Sequence, residues 1–197
     1  MNGERVTMTT SMQSPPEFQH EPGLFAFLQY QCTLADAPAL GYDVHKDEQQ
    51  FLEAVEYDDD TKACVRKAAR RSGGTTLFCA MAWHYHLMGY RVAVSTHNHA
   101  MLEYLRRTLK DVHVIGFKPE THNSKNRIYL TTNDGQSRAP NDIHLLVAGN
   151  QGDFRRVFQA EHHDYVFMDN VSANNEHDAI QAVMVNTSRK VVVNVTP

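Results

Sequence analysis

At 197 residues and 22.4 kDa the chain is long enough for one domain with its own core. Hydrophobic residues at 42% and charged residues at 21% exclude the disordered class, and a net charge of −4 excludes a globally basic nucleic-acid binder. Three scattered cysteines (Cys32, Cys64, Cys79) point to reduced thiols, and no apolar run approaches the ~20 residues that span a bilayer.

Residues 1–23 are polar, contain Pro15-Pro16 and lack the apolar stretch of a leader, so a mobile arm is expected there, followed by a domain over 24–197. Phe25, Phe27, Leu28 and Tyr30 suggest a short helix packed on that domain. Residues 46–56 combine good helix formers with apolar Phe51, Leu52 and Val55, and the acidic stretch Tyr57–Asp60 reads as a turn. Thr61–Ala68 is a short strand. Thr75–Leu87 is a helix apolar on both faces, stopped by Gly89. Arg91–Ser95 is a strand of the parallel-sheet kind. His99–Lys110 is a helix with Met101, Leu102, Leu105 and Leu109 on one side, and Val112–Gly116 is expected to be a further strand.

The middle of the chain changes character. Asn126–Thr132, a turn at Asn133–Gly135 and Asp142–Ala148 read as antiparallel strands. Alternation then resumes with a strand at Asp164–Asp169, a helix near Glu176–Asn186 and a last strand at Arg189–Val195. Repeated strand–helix–strand units predict an α/β fold, a parallel sheet flanked by helices.

The chemistry concentrates between the first strand and the helix after it. Arg66, Lys67, Arg70 and Arg71 are the densest basic cluster, and Gly73-Gly74-Thr75-Thr76 follows directly. A strand, a glycine turn and a buried helix form the context of a phosphate-binding loop: glycines turn backbone N–H groups onto phosphate oxygens, and the helix N-terminus adds a positive dipole. Thr75 stands where such a loop places its Mg²⁺-touching hydroxyl, and Gly74 stands where it places its lysine. Downstream, the apolar strand Tyr165–Met168 ends in Asp169, the position of an acid that holds the Mg²⁺ water shell. Glycine turns and strand-closing aspartates are each common. Their order here, with strand–helix units between them, favours the P-loop reading.

On these residues the chain resembles the N-terminal ATPase domain of tailed-phage large terminases, from about Val44 to Pro197. Ala69–Thr76 is similar to the family's Ser-Arg-x-x-Gly-Lys-Thr-Thr loop, with Arg70 matching the arginine. Gly89–Asn98 looks like the next strand and its "V-x-x-T-x-N" run, and Val193–Pro197 like the strand and coupling motif. The resemblance implies a three-layer P-loop NTPase of the RecA-like (ASCE) type. It implies ATP and Mg²⁺ as cofactors, with Gln50 on the adenine (Gln49 by one register) and Lys67, Arg70, Arg71, Gly73, Gly74, Thr75 and Thr76 on the phosphates. Thr75 and Asp169 would hold the metal. DNA, the portal and a nuclease-bearing terminase chain are the implied partners, with oligomerisation, no membrane, and the host cytoplasm as location.

Three departures weaken the motor. Gly74 replaces the lysine, which costs roughly 1.5–3 kcal/mol, or about one to two decades of affinity. Asn170 replaces the glutamate that follows the Walker B acid; it orients a water but accepts no proton, and a positioned base contributes about 10²–10⁴-fold. No counterpart of the family's nuclease domain is expected before Pro197. Glu161 and Glu176 are the candidate replacement bases. The expectation is nucleotide binding with weak hydrolysis, or an inactive pseudo-ATPase that works by binding. A helicase-like reading lacks its Asp-Glu-x-His/Asp box. Of the 12 histidines, His84/His86 and His162-His163 have no metal-ligand spacing and are expected at the surface or satisfied in the core.

Overall fold

A computed structural model of the chain describes residues 23, 27–28, 46–67, 73–112, 114, 116–122, 126–139, 141–148, 156–158 and 161–196. The expected arm lies outside these residues apart from Gly23. Of the expected helix after it, Phe27 and Leu28 are helical and buried.

The elements run α1 (Lys46–Tyr57), β1 (Ala63–Lys67), α2 (Gly74–Leu87), β2 (Val92–Thr96), α3 (His99–Asp111), β3 (Phe117–Thr121), β4 (Arg127–Thr132), β5 (Ile143–Val147), β6 (His163–Ser172), a 3-10 turn (Ala173–Asn175), α4 (Glu176–Met184) and β7 (Thr187–Thr196). The seven strands form one sheet in the order β1-β7-β6-β2-β5-β4-β3. Neighbours from β1 to β5 run parallel, while β5–β4 and β4–β3 are antiparallel. The expected α/β class holds, with a mainly parallel sheet between helices.

Period-two alternation sorts the central strands between two cores. Cys64, Val92, Val94, Tyr165, Phe167 and Val192 pack with residues of α1, α2 and α3. Ala93, Val166, Met168, Val191 and Val193 pack on the other face against Ala179 and Val183 of α4 and Phe158. Helix α2 is apolar all round because it is enclosed: every residue from Leu77 to His86 is buried. Trp83 Nε1 donates to the Leu109 carbonyl of α3 at 2.8 Å, and Tyr85 stacks on Tyr165 with centroids 3.9 Å apart. Trp83 and Tyr85 are thus part of the core. Helix α3 starts where Asn98 accepts the Met101 N–H at 2.8 Å, and it buries Leu102, Leu105 and Leu109. Lys190 of β7 is buried and donates to the Ala54 carbonyl at 2.6 Å and to the Asp58 carbonyl, which places its charge at the negative end of α1.

Three expectations are corrected. Val112, Val114 and Gly116, the described residues of the expected strand, lie in none: Phe117 N–H closes a turn on the Val114 carbonyl, and Gly116 takes φ 77, a conformation that favours glycine. Val112 and Val114 serve as core plugs, and the strand begins at Phe117. β5 is antiparallel to β4 but joins the main sheet by running parallel to β2. β6 does not stop at Asp169 but continues through a register shift to Ser172. No described helix is long and apolar enough to cross a membrane.

His84 and His86 are core residues, 4% and 5% exposed, and burial lowers each pKa from 6.5 to about 4. Between those pH values the unfolded chain binds protons that the folded chain refuses. Stability is therefore complete above pH ~6.5 and falls towards pH ~4, by about 1.4 kcal/mol per pH unit for each histidine. Neither ring nitrogen of His86 has a partner among the described residues. His86→Leu should raise the urea midpoint at neutral pH and flatten its decline in acid. An unchanged acid slope would count against this account.

Candidate functional site

β1, β7 and β6 lie side by side, and Arg66 is in register with Asn194. Cys64, Val192 and Phe167 belong to the core under α2. Two residues further along the same strands stand Arg66, Asn194 and Asp169, so the apolar rows end in a polar one at the carboxyl edge of the sheet. Those three residues are 5%, 6% and 1% exposed. In open parallel sheets this edge is where ligands bind.

Hydrogen bonds join the row to α2. Arg66 Nη1 donates to Asn194 Oδ1 at 3.0 Å, and Asn194 Nδ2 donates to Asp169 Oδ1 at 2.9 Å. Thr75 Oγ1 donates to Asp169 Oδ2 at 2.6 Å. Thr75 and Asp169 thus meet in space although they stand 94 residues apart. A hydroxyl beside a buried carboxylate offers two hard oxygens, a donor set that fits Mg²⁺. Helix α2 opens without a side-chain cap and without an acid in its first turn, after Gly73 in the left-handed conformation at φ 76. Its first N–H groups and dipole fit an anion.

Gly74, at the expected lysine position, is enclosed. A Cβ there would lie 2.5 Å from Asn194 Nδ2 and 2.8 Å from Arg66 Nη1. Arg66 thus brings its guanidinium from β1 against the start of α2. Arg66 and Asn194 were not among the expected ligands; the signal was a polar residue at an inward position of an apolar strand, as in Val191–Val195.

The remaining expected residues scatter. Arg70 and Arg71 lie outside the described residues. Thr76 is half-buried in the first turn of α2. Lys67 is exposed and pairs with Glu176 at 3.2 Å, which occupies one of the two candidate bases. Glu161 stands at the opposite edge of the sheet, before β6, and pairs with Arg127 and His144. Gln50 is exposed on α1, beside Phe51, which stacks on Phe78 of α2.

Asn170 takes φ 61 within the register shift between Met168 and Val171, a backbone state that asparagine tolerates. Its amide meets Thr196 Oγ1 at 2.7 Å and His97 Nδ1 at 3.1 Å. Asn98 caps α3 through Oδ1, so its Nδ2 is the atom that meets His97 Nε2. Cys79, one turn along α2 from Thr75, has its thiol pushed up by burial and then by the Asp169 charge.

No protein-family model and no curated protein matches this sequence. Solved structures do. The large terminase of bacteriophage HK97 matches with a TM-score of 0.60 at 13% identity, over 90% of this chain and 37% of that one. The chain has a terminase-like fold. The large terminase of a thermophilic bacteriophage matches at 15% identity and TM-score 0.49, over 76% of this chain and 39% of that one. Its complex with ADP matches at 15% identity and TM-score 0.45, over 88% and 39%. The terminase-like chain described here therefore spans well under half of each of these proteins.

Within this terminase-like fold, Gly74 gives a test of the polar row. Gly→Ala in a helix ordinarily stabilises by roughly 0.5–1 kcal/mol. Here the added methyl must displace an amide held at both ends, so Gly74→Ala should destabilise by about 1–3 kcal/mol in chemical denaturation. A stabilising result would refute the enclosure of Gly74.

Proposed function

We propose that the chain is a terminase-like ATPase domain for viral DNA packaging, which binds ATP·Mg²⁺ and hydrolyses it weakly. The observation that carries this reading is the 2.6 Å hydrogen bond between Thr75 and Asp169 at the uncapped start of α2. The N–H groups of Gly73, Gly74, Thr75 and Thr76 would meet the phosphates, and Arg66 supplies positive charge nearby, while exposed Lys67 is held by Glu176. Arg66 takes the part of the lysine that Gly74 lacks. Thr75 and Asp169 would hold Mg²⁺, which neutralises charge on the phosphates when bound. Asn170 orients a water without taking its proton, so hydrolysis stays slow. DNA, the portal, a nuclease-bearing chain and further copies are the partners this reading proposes, in the host cytoplasm.

A second reading is an inactive pseudo-ATPase that works by binding. It is favoured by the engagement of both Asp169 oxygens, by Thr75 and by Asn194.

The test is Mg²⁺-dependent binding of a fluorescent ATP analogue, with phosphate release measured alongside. Affinity should fall about one to two decades below that of a lysine-bearing loop. Asp169→Ala should abolish the Mg²⁺ dependence, and Arg66→Gln should weaken binding about tenfold, while exposed Lys67→Ala changes it little. Binding without turnover selects the second reading. No binding at millimolar nucleotide overturns both cofactor assignments and leaves an interaction module.

A further inference from the structure

At the amino ends of β6, β2 and β5, the edge opposite Asp169, a pocket of about 360 Å³ is lined by Arg91, Arg127, Asp142, His144, Glu161 and His163, among others. Three potential ligand atoms converge in it. His144 Nδ1 lies 2.6 Å from Glu161 Oε2 and 3.0 Å from His163 Nε2, and the ligand atoms all fall within 4.8 Å of one another. The rings stand nearly perpendicular, at 81° with centroids 5.0 Å apart. Topology brings them together: His144 and His163 sit on the strands flanking β2, which presents only Ala93 in register with His144.

Protons alone serve this arrangement poorly. If His144 carries its proton on Nδ1, one hydrogen must answer both a carboxylate oxygen and the lone pair of His163 Nε2. If His163 carries its proton on Nε2 and gives it to Nδ1, the Glu161 carboxylate faces a bare nitrogen lone pair at 2.6 Å. A divalent cation accepts electron pairs from all three atoms at once.

We propose that His144, Glu161 and His163 form a binding site for a borderline divalent cation of the Zn²⁺ class. Two imidazoles and one carboxylate are a zinc donor set with a fourth position left for water, and the pocket gives that position room. A tetrahedral ion at about 2.0–2.1 Å spaces its ligand atoms by roughly 3.3 Å, so the His144–His163 contact needs to open by about 0.3 Å and the His144–Glu161 contact by about 0.7 Å, within reach of the half-exposed Glu161 side chain. Arg127 Nη2 holds the other Glu161 oxygen at 2.9 Å, an outer contact that fixes the carboxylate's orientation. Binding through Nε2 puts the His163 proton on Nδ1, which is buried with no acceptor among the described residues. That cost limits the site to moderate, micromolar affinity. The site is independent of the nucleotide reading, since it lies at the other edge of the sheet.

Chelator-stripped full chain titrated with ZnCl₂ in a calorimeter should take up one ion per chain at micromolar affinity. Glu161→Gln, at a half-exposed position, should weaken uptake more than about tenfold without moving the melting temperature of the metal-free protein, and His144→Gln should weaken it further. Co²⁺ in place of Zn²⁺ should give the visible absorption of a low-coordinate site, lost in both variants. Absence of uptake overturns the proposal. So does uptake that persists unchanged in both variants, because the ion then sits on other histidines.

Discussion

Asn194 stands between a buried arginine and a buried aspartate, and its amide satisfies both in one orientation only. Arg66 has only donors to give, and the Asp169 carboxylate accepts. Oδ1 must therefore face the first and Nδ2 the second. Charges this deep are expensive to leave uncompensated, and removing one partner of such an arrangement costs several kcal/mol because the other stays behind. The chain of contacts ties β1, β7 and β6 together at their carboxyl ends and fastens the first turn of α2 to them through Thr75. The positions of α2, of Gly73 before it and of the sheet edge below it all depend on this link.

The same link accounts for Gly74. A side chain there would occupy space already filled by Asn194 and Arg66, so the glycine is required by a close approach as well as by loop geometry. On the proposed reading, the cation of the site has moved from the helix to the neighbouring strand, which leaves a phosphate-binding surface with a different donor order. His97 contacts Asn170, which stands at the position of the missing glutamate.

Much of this was legible in the sequence because period and burial agree. Short apolar runs in Arg91–Ser95, Asp164–Asp169 and Arg189–Val195 marked strands of the parallel-sheet kind, and the all-round apolar pattern of Thr75–Leu87 marked an enclosed helix. Thr75 and Asp169 were paired by motif order, and they meet. The strand expected at Val112–Gly116 failed because buried valines next to a left-handed glycine look like a strand to any local pattern. Arg66 was grouped with Lys67, Arg70 and Arg71 as one basic cluster, since nothing local says that this arginine alone of the strand pair turns inward. The approach of His144 to His163 was invisible for a different reason. It is set by the insertion of β2 between their strands, a fact of topology that no spacing encodes.

β6 carries His163 at its first residue and Asp169 six residues later, a span of about 20 Å at strand rise. Hydrogen-bond ladders grip it on both sides, and a slip of one residue would turn every apolar side chain to the wrong face. The strand therefore behaves as a strut whose two ends cannot travel independently over most of its length. The register with β7 breaks at both ends of that span, between His163 and Tyr165 and between Met168 and Val171, where Asn170 leaves the extended conformation. Each of the two polar clusters on β6 therefore sits beside an irregular step, with the regular ladder between them.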